Sequence, residues 1–272
     1  MQNLQQTISN LAHKDLSERK TWYSAAAEAY NQVRPHYPQS LIERVVNLAQ
    51  LNSASQLLEV GCGPGTATVA FAPLGCSITC LEPNADFVAL AQQNCAAYTN
   101  VQIENLAFEE WQPAGQRFDA VLATSSFHWI PAEIGYPKAA ELLKPEGTLI
   151  LLWNKELQPS RELYESFLDL YQTHAPALIW YEEPETQLAI IQAVGQMAVE
   201  SGQFSQLDFK YQWCQATYSA AQYLRLLSTY SPQIALPAAN REQLFAGIQA
   251  RIEQQGGQID LTYLSACHLA RR

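Results

Sequence analysis

Basic residues are scarce in this chain. Sixteen Lys and Arg stand against 26 Asp and Glu, a net charge of −10. A polyanion needs a basic groove, and no basic cluster interrupts the sequence, which argues against nucleic acid as a substrate. No apolar run reaches the length of a membrane span, so no membrane partner is expected. The opening segment, MQNLQQTISNLAHKD, lacks the charged-then-apolar layout of a secretory leader. A cytoplasmic location is the expectation. Six cysteines occur, but none form a C-x-x-C pair, and most sit in apolar contexts. They read as buried reduced thiols, with neither a disulfide framework nor a metal site. Internal repeats and low-complexity tracts are also missing.

What is present is a large apolar fraction, 48% of 272 residues, enough for one large domain or one domain with a sizeable insertion. One stretch organises the rest. Gln56–Thr68 reads QLLEVGCGPGTAT. An apolar run ending in glycines is a buried strand turning sharply toward a helix, expected to start near Thr66. Gly61, Gly63 and Gly65 let the backbone adopt angles closed to other residues and let a ligand approach closely. A dinucleotide fingerprint is G-x-G-x-x-G. Here the third glycine comes one residue early, and Glu59 stands at the strand end. A carboxylate there disfavours a pyrophosphate and suits a ligand carrying positive charge.

The E-x-G-x-G-x-G string resembles the first motif of class I S-adenosylmethionine-dependent methyltransferases. A second strand, CSITCL, ends in Glu82-Pro83-Asn84. Its acid lies close to the roughly 20-residue interval at which a carboxylate reaches a ribose, and its two oxygens can accept from both ribose hydroxyls. The resemblance implies a Rossmann-like α/β sheet flanked by helices, with S-adenosyl-L-methionine as cofactor. It is strongest over residues 21–155, and the look is of the small-molecule group, type 11 or trans-aconitate methyltransferase-like. The A-x-x-Y-x-x-x-R-P-x-Y-P pattern resembles the segment that folds over the cofactor in that group. This makes Tyr30 and Arg34 candidates for the methionine carboxylate. A second reading, in which Arg34 ties the Pro35–Pro38 bend to the core, stands beside it.

Further along, helices are expected over 21–31, from a Ser40 cap to about Gln50, and over 85–97. Strands are expected at Val101–Glu104 and Phe118–Ala123. By resemblance, Leu106, Ala107 and Phe108 border the adenine, and Gly61, Cys62, Gly63 and Gly65 cradle the cofactor with Glu59, Glu82, Pro83 and Asn84. Ligands sit outside the carboxyl ends of such strands, so Thr124 through Trp129 should face the pocket. His128 is the best-placed imidazole for a general base, against a reading in which it packs under the N-terminal segment. A helix over 138–143 and a Lys144–Gly147 turn lead into a fifth strand, TLILLW.

The organisation expected is a polar extension at 1–20, a cofactor-binding core at 21–155, and residues 156–272 as helical lid insertions plus the last two strands. Those strands, at 208–213 and 258–270, are separated by two expected helices. The function expected is methylation of a small molecule, with O-methylation of a carboxylate or hydroxyl favoured. A nicotinamide-dependent oxidoreductase and a non-catalytic binding protein are the alternatives.

Overall fold

A computed structural model describes residues 12–272; the first eleven residues of the expected extension lie outside the described ones. Seven strands form one sheet: β1 (Gln56–Val60), β2 (Ser77–Leu81), β3 (Val101–Glu104), β4 (Phe118–Thr124), β5 (Leu143–Asn154), β6 (Gln206–Ser219) and β7 (Gln258–Arg271). Their spatial order is β3-β2-β1-β4-β5-β7-β6. The first five run parallel, and β7 runs antiparallel to both β5 and β6. This is the Rossmann-like α/β sheet flanked by helices. The chain leaves β1 toward β2 on one side and returns to β4 on the other. That reversal opens a crevice at the carboxyl end of β1.

The apolar runs are continuous because both faces of the sheet are covered. Leu58, Val121, Leu149 and Leu151 join one core, while Leu57, Leu122, Ile150 and Leu152 join the other. Strand alternation alone sorts them. The helix Gln39–Leu48 buries Leu41, Ile42 and Val45 against the second core. A third apolar cluster gathers Leu157, Phe167, Leu226, Leu244 and Ile248 among the C-terminal helices.

Several boundaries differ from the sequence expectation. After the glycine turn the α-helix is only Thr68–Phe71, continued by a tighter turn, Ala72–Leu74, that contains Pro73. Ser40 is not a cap. Pro38 holds that position, and the Ser40 hydroxyl donates to Gln212 at 2.8 Å. Lys144–Gly147 belongs to β5, where the pairing jumps from Phe118↔Leu143 to Ala120↔Thr148, so the segment arches out of the ladder. Pro145 has no N–H to give that ladder. The helix before it begins at Ala132. The expected lid helices after β5 begin with two short ones, Arg161–Glu165 and Leu168–His174. Between β6 and β7 stand three helices, Ala220–Leu227, Ser231–Ile234 and Ala238–Gln254.

Candidate active site

The crevice beyond β1, β2 and β4 is a cleft with about 1190 Å³ of free space, counted out to solvent. Its floor is the glycine turn. Gly61, Gly63 and Gly65 all adopt positive φ, at 66°, 56° and 82°. A Cβ on Gly61 would stand 2.7 Å from that of Ser126. A Cβ on Gly63 would meet nothing within 4 Å, because that residue faces the cleft. The amides of Gly61 and Cys62 donate to the Leu81 carbonyl at 2.8 and 3.2 Å. The turn is thus pinned to the end of β2 by its main chain.

Glu82 follows directly on β2 and is 5% exposed at the lip of the cleft. One carboxylate oxygen accepts from the Gly63 amide at 2.8 Å, the other from the Asn84 amide at 2.9 Å. Burial raises its pKa from 4.5 to about 7 against those two hydrogen bonds. Each oxygen keeps a second lone pair for a ligand hydroxyl. Asn84 caps the helix Ala85–Asn94 and also donates to Ser24 at 3.0 Å, tying the N-terminal segment to the turn. Asn105 holds the Glu82 and Pro83 carbonyls at 2.9 and 3.1 Å.

The roof is that N-terminal segment. Leu16, Arg19, Tyr23, Tyr30, Arg34 and Tyr37 all line the cleft. Tyr30 packs edge-on against Phe87 at 5.2 Å and against Tyr23 at 5.8 Å. The Arg34 guanidinium lies between the Tyr30 and Tyr230 rings, 4.7 and 4.4 Å from their centroids. It donates to the Thr229 hydroxyl and carbonyl, both at 2.8 Å. Both readings of Arg34 therefore have geometry behind them: it ties the bend to the C-terminal part and it faces the cleft. Among the described residues it forms no ion pair with a carboxylate. At the far end Arg19 pairs with Glu109 at 2.7 Å and also holds the Trp129 carbonyl.

Of the residues the sequence nominated, Tyr30, Arg34, Gly61, Cys62, Gly63, Glu82, Pro83, Asn84, Ala107, Phe108, Thr124, Ser125, Ser126 and Trp129 line this cleft. Five do not, Phe127 among them. Glu59 is fully buried beneath the turn, accepting from Thr68 at 2.7 Å and Thr124 at 3.3 Å. Alternation along β1 points it inward, and burial lifts its pKa to about 7. Gly65 packs toward Cys95 and Ala91, so its role is close approach of the turn to the helix Ala85–Asn94. Leu106 sits in a tight turn closed by its amide on the Glu104 carbonyl, which leaves the side chain 39% exposed.

His128 is the fourth. Phe127–Trp129 is a single 3₁₀ turn. With three residues per turn, its side chains spread in three directions. Trp129 enters the cleft, Phe127 packs on Tyr136 at 4.9 Å, and His128 packs on Trp153 at 5.5 Å. The imidazole lines a separate cavity, its Nδ1 is buried with no hydrogen-bond partner among the described residues, and burial lowers its pKa to about 4. The geometry supports the packing role.

Arg19, Tyr37, Phe87 and Asn154 line the cleft without having been nominated. Arg19 lies in a polar segment that carries no periodic signal. Tyr37 belongs to the R-P-H-Y-P string and could have been read from it. Ser125, beside Thr124, has φ 52°, an uncommon angle for a residue with a side chain. Its amide donates to Leu152 at 2.8 Å, and its hydroxyl meets that of Tyr37 at 3.3 Å. Among the described residues no group of three or more His, Cys, Asp or Glu side chains is arranged to hold a metal ion.

A family model described as a methyltransferase domain matches residues 57–147, from β1 to the arch of β5. Residues 57–147 are similar to that domain, and the sheet around them has the class I methyltransferase fold. Over 132 residues the chain is 28% identical to an uncharacterized methyltransferase of Mycobacterium bovis, a stretch covering 48% of this chain and 51% of that protein. It is 29% identical over 165 residues to a ubiquinone biosynthesis O-methyltransferase of Xanthomonas campestris, covering 55% and 64%. The matches thus span about half of the first of these relatives' length. Among solved structures, a candidate type II methyltransferase of Anaeromyxobacter dehalogenans aligns with a TM-score of 0.62 at 18% identity, covering 88% of this chain and 97% of that one. A methyltransferase of Geobacter sulfurreducens, solved with S-adenosylhomocysteine, aligns with a TM-score of 0.51 at 12% identity, covering 92% and 98%. Within this fold the cleft offers a carboxylate, Glu82, a guanidinium, Arg34, and aromatic walls.

Proposed function

We propose that this chain transfers a methyl group from S-adenosylmethionine to an oxygen of a small molecule. One observation carries the reading: a single cleft sets Glu82 beside an open glycine turn and faces it with an Arg34 that has no acidic partner among the described residues. The donor set fits the cofactor. Glu82 accepts from the ribose hydroxyls. Ala107 and Phe108 form the apolar slot beside the adenine. Gly63 admits the cofactor backbone without a Cβ in the way. Arg34 and Tyr30 meet the methionine carboxylate.

When bound, S-adenosylmethionine supplies an activated methyl whose departure leaves a neutral thioether. The protein's work is then positioning and exclusion of water. Trp129, Tyr23 and Tyr37 wall the reacting end, and the Arg19–Glu109 pair closes the cleft over Trp129. Ser125 and Ser126, held on the main chain of β5 and β1, keep the β4 loop packed closely against the turn. His128 takes no part in proton transfer in this reading.

Calorimetric titration with S-adenosylhomocysteine and with NAD is the test. The reading expects the first to bind and the second to give little heat. Tight NAD binding without a response to S-adenosylhomocysteine would overturn it in favour of the oxidoreductase.

A further inference from the structure

Behind the cleft lies a second chamber that the cofactor reading leaves unused. It has about 760 Å³ of free space, counted out to solvent as for the cleft, and is bounded by Tyr164, Tyr171, Trp180, Tyr223 and Tyr230, with Leu227 beside them. Among the described residues, Leu157 is the one that lines both chamber and cleft. Its amide donates to the Tyr230 hydroxyl at 2.9 Å, and the same Tyr230 ring backs the Arg34 guanidinium at 4.4 Å. The threshold between the two spaces is therefore a defined element beside the residue proposed to hold the cofactor carboxylate.

The walls say what the chamber takes. Tyr164 stands 5.9 Å from Tyr171 and 5.3 Å from Tyr181, ring to ring. Such surfaces favour a flat, ring-bearing ligand in offset or edge contact. Glu156, Gln158 and Gln233 stand among the rings and can fix a ligand's orientation. The Gln233 carboxamide oxygen is buried with no partner among the described residues, in a side chain only 9% exposed. An unpaired buried acceptor is costly, and a ligand hydroxyl or amino N–H would satisfy it. The charged side chain lining the chamber, Glu156, shares Lys155 with Glu182, at 3.3 and 2.9 Å. With one cation between two carboxylates, the wall has no free positive charge for an anionic ligand.

We propose that this chamber binds the ring system of an uncharged aromatic methyl acceptor bearing a hydroxyl donor for Gln233, with a second hydroxyl directed past Leu157 toward the cleft. This rests on the methyltransferase reading and narrows its substrate class. In the step it serves, an oxygen–carbon bond forms as the sulfur–carbon bond breaks. Sulfur keeps the electron pair, and the hydroxyl proton leaves to solvent.

The probe is 2,7-dihydroxynaphthalene, titrated by its own fluorescence into wild type, Ala177→Trp and Gln233→Leu. Adipate is the carboxylate comparator by calorimetry. Ala177 is an exposed residue on the chamber wall, so the indole fills space without disturbing the core. The expected result is binding to wild type and at least ten-fold weaker binding to both variants. S-adenosylhomocysteine affinity should stay within two-fold of wild type. Failure of the naphthalenediol to bind wild type, equal binding to Ala177→Trp, or adipate binding that Ala177→Trp abolishes would each overturn the proposal. If S-adenosylhomocysteine fails to bind while the diol behaves as expected, the chamber stands and the cofactor reading falls.

Discussion

The Glu82 carboxylate accepts a hydrogen bond from the Gly63 amide at 2.8 Å. The acid after β2 therefore shapes the turn after β1, as well as standing where a ligand diol would lie. Its second oxygen, on the Asn84 amide, fixes the start of the helix Ala85–Asn94. One side chain couples three segments of the crevice.

Glu82→Ala should therefore do two things. Affinity for S-adenosylhomocysteine should fall by about 1.5–3 kcal/mol, the worth of hydrogen bonds to a charged group. Stability should also fall, by about 1–3 kcal/mol, because two amides lose their acceptor. The sequence motif accounts only for the ligand role; the Gly63 and Asn84 bonds add the structural one. Calorimetry and urea unfolding on the same sample separate the two effects.

Glu59 gives a pH dependence with a definite sign. Its pKa is raised from 4.5 to about 7 by burial. Below pH 4.5 the carboxyl is neutral in folded and unfolded chains alike. Between 4.5 and 7 the unfolded chain releases the proton and the folded chain keeps it, so this contribution to stability is lost as pH rises. Glu59→Gln should remove that loss, gaining on wild type by on the order of 1–3 kcal/mol between pH 5 and pH 8. His128 and His268, both lowered from 6.5 to about 4, act oppositely: their contribution is full above 6.5 and lost as pH falls through 4. Denaturant midpoints at pH 5 and 8 for wild type and variant test this. A constant difference between them would place the Glu59 pKa near its ordinary value.

His128→Ala should leave methyl transfer within about three-fold of wild type, far from the 10²–10⁴-fold expected of a general base. It should lower stability, since the ring packs on Trp129 and Trp153 at 5.7 and 5.5 Å. Turnover and thermal melting on one preparation distinguish the roles. A hundred-fold loss of turnover with an unchanged melting temperature would restore the base.

Gly195→Ala should be among the most damaging small substitutions. Its Cβ would come within 2.0 Å of the His268 ring, which is 1% exposed and stacked on Phe209. Overpacking of this kind costs about 1–3 kcal/mol or more. The double variant Gly195→Ala/His268→Ala should cost less than the sum of the two singles, because the ring that is struck is gone. Simple additivity in urea unfolding would mean the helix Pro184–Glu200 moves aside instead.

Local chemistry was enough for the sequence to determine the glycine turn, the acid at Glu82, the helix that follows it, and the run of strands up to β5. Each depends on features a few residues apart: backbone angles open to glycine, an apolar run of strand length, a carboxylate at a ribose-reaching interval. Only the tertiary structure decided where side chains at those ends point. Glu59 carries the right chemistry, but strand alternation and the hydroxyls of Thr68 and Thr124 turn it under the floor. His128 follows the right strand, but one 3₁₀ turn sends Trp129 into the cleft in its place. The roof is the least legible part. Arg34 finds Thr229, and Tyr23 finds the Ser231 hydroxyl at 2.9 Å, across nearly the whole chain. Such pairings depend on how β6, β7 and the helices between them return to the N-terminal segment, and no local pattern encodes that return.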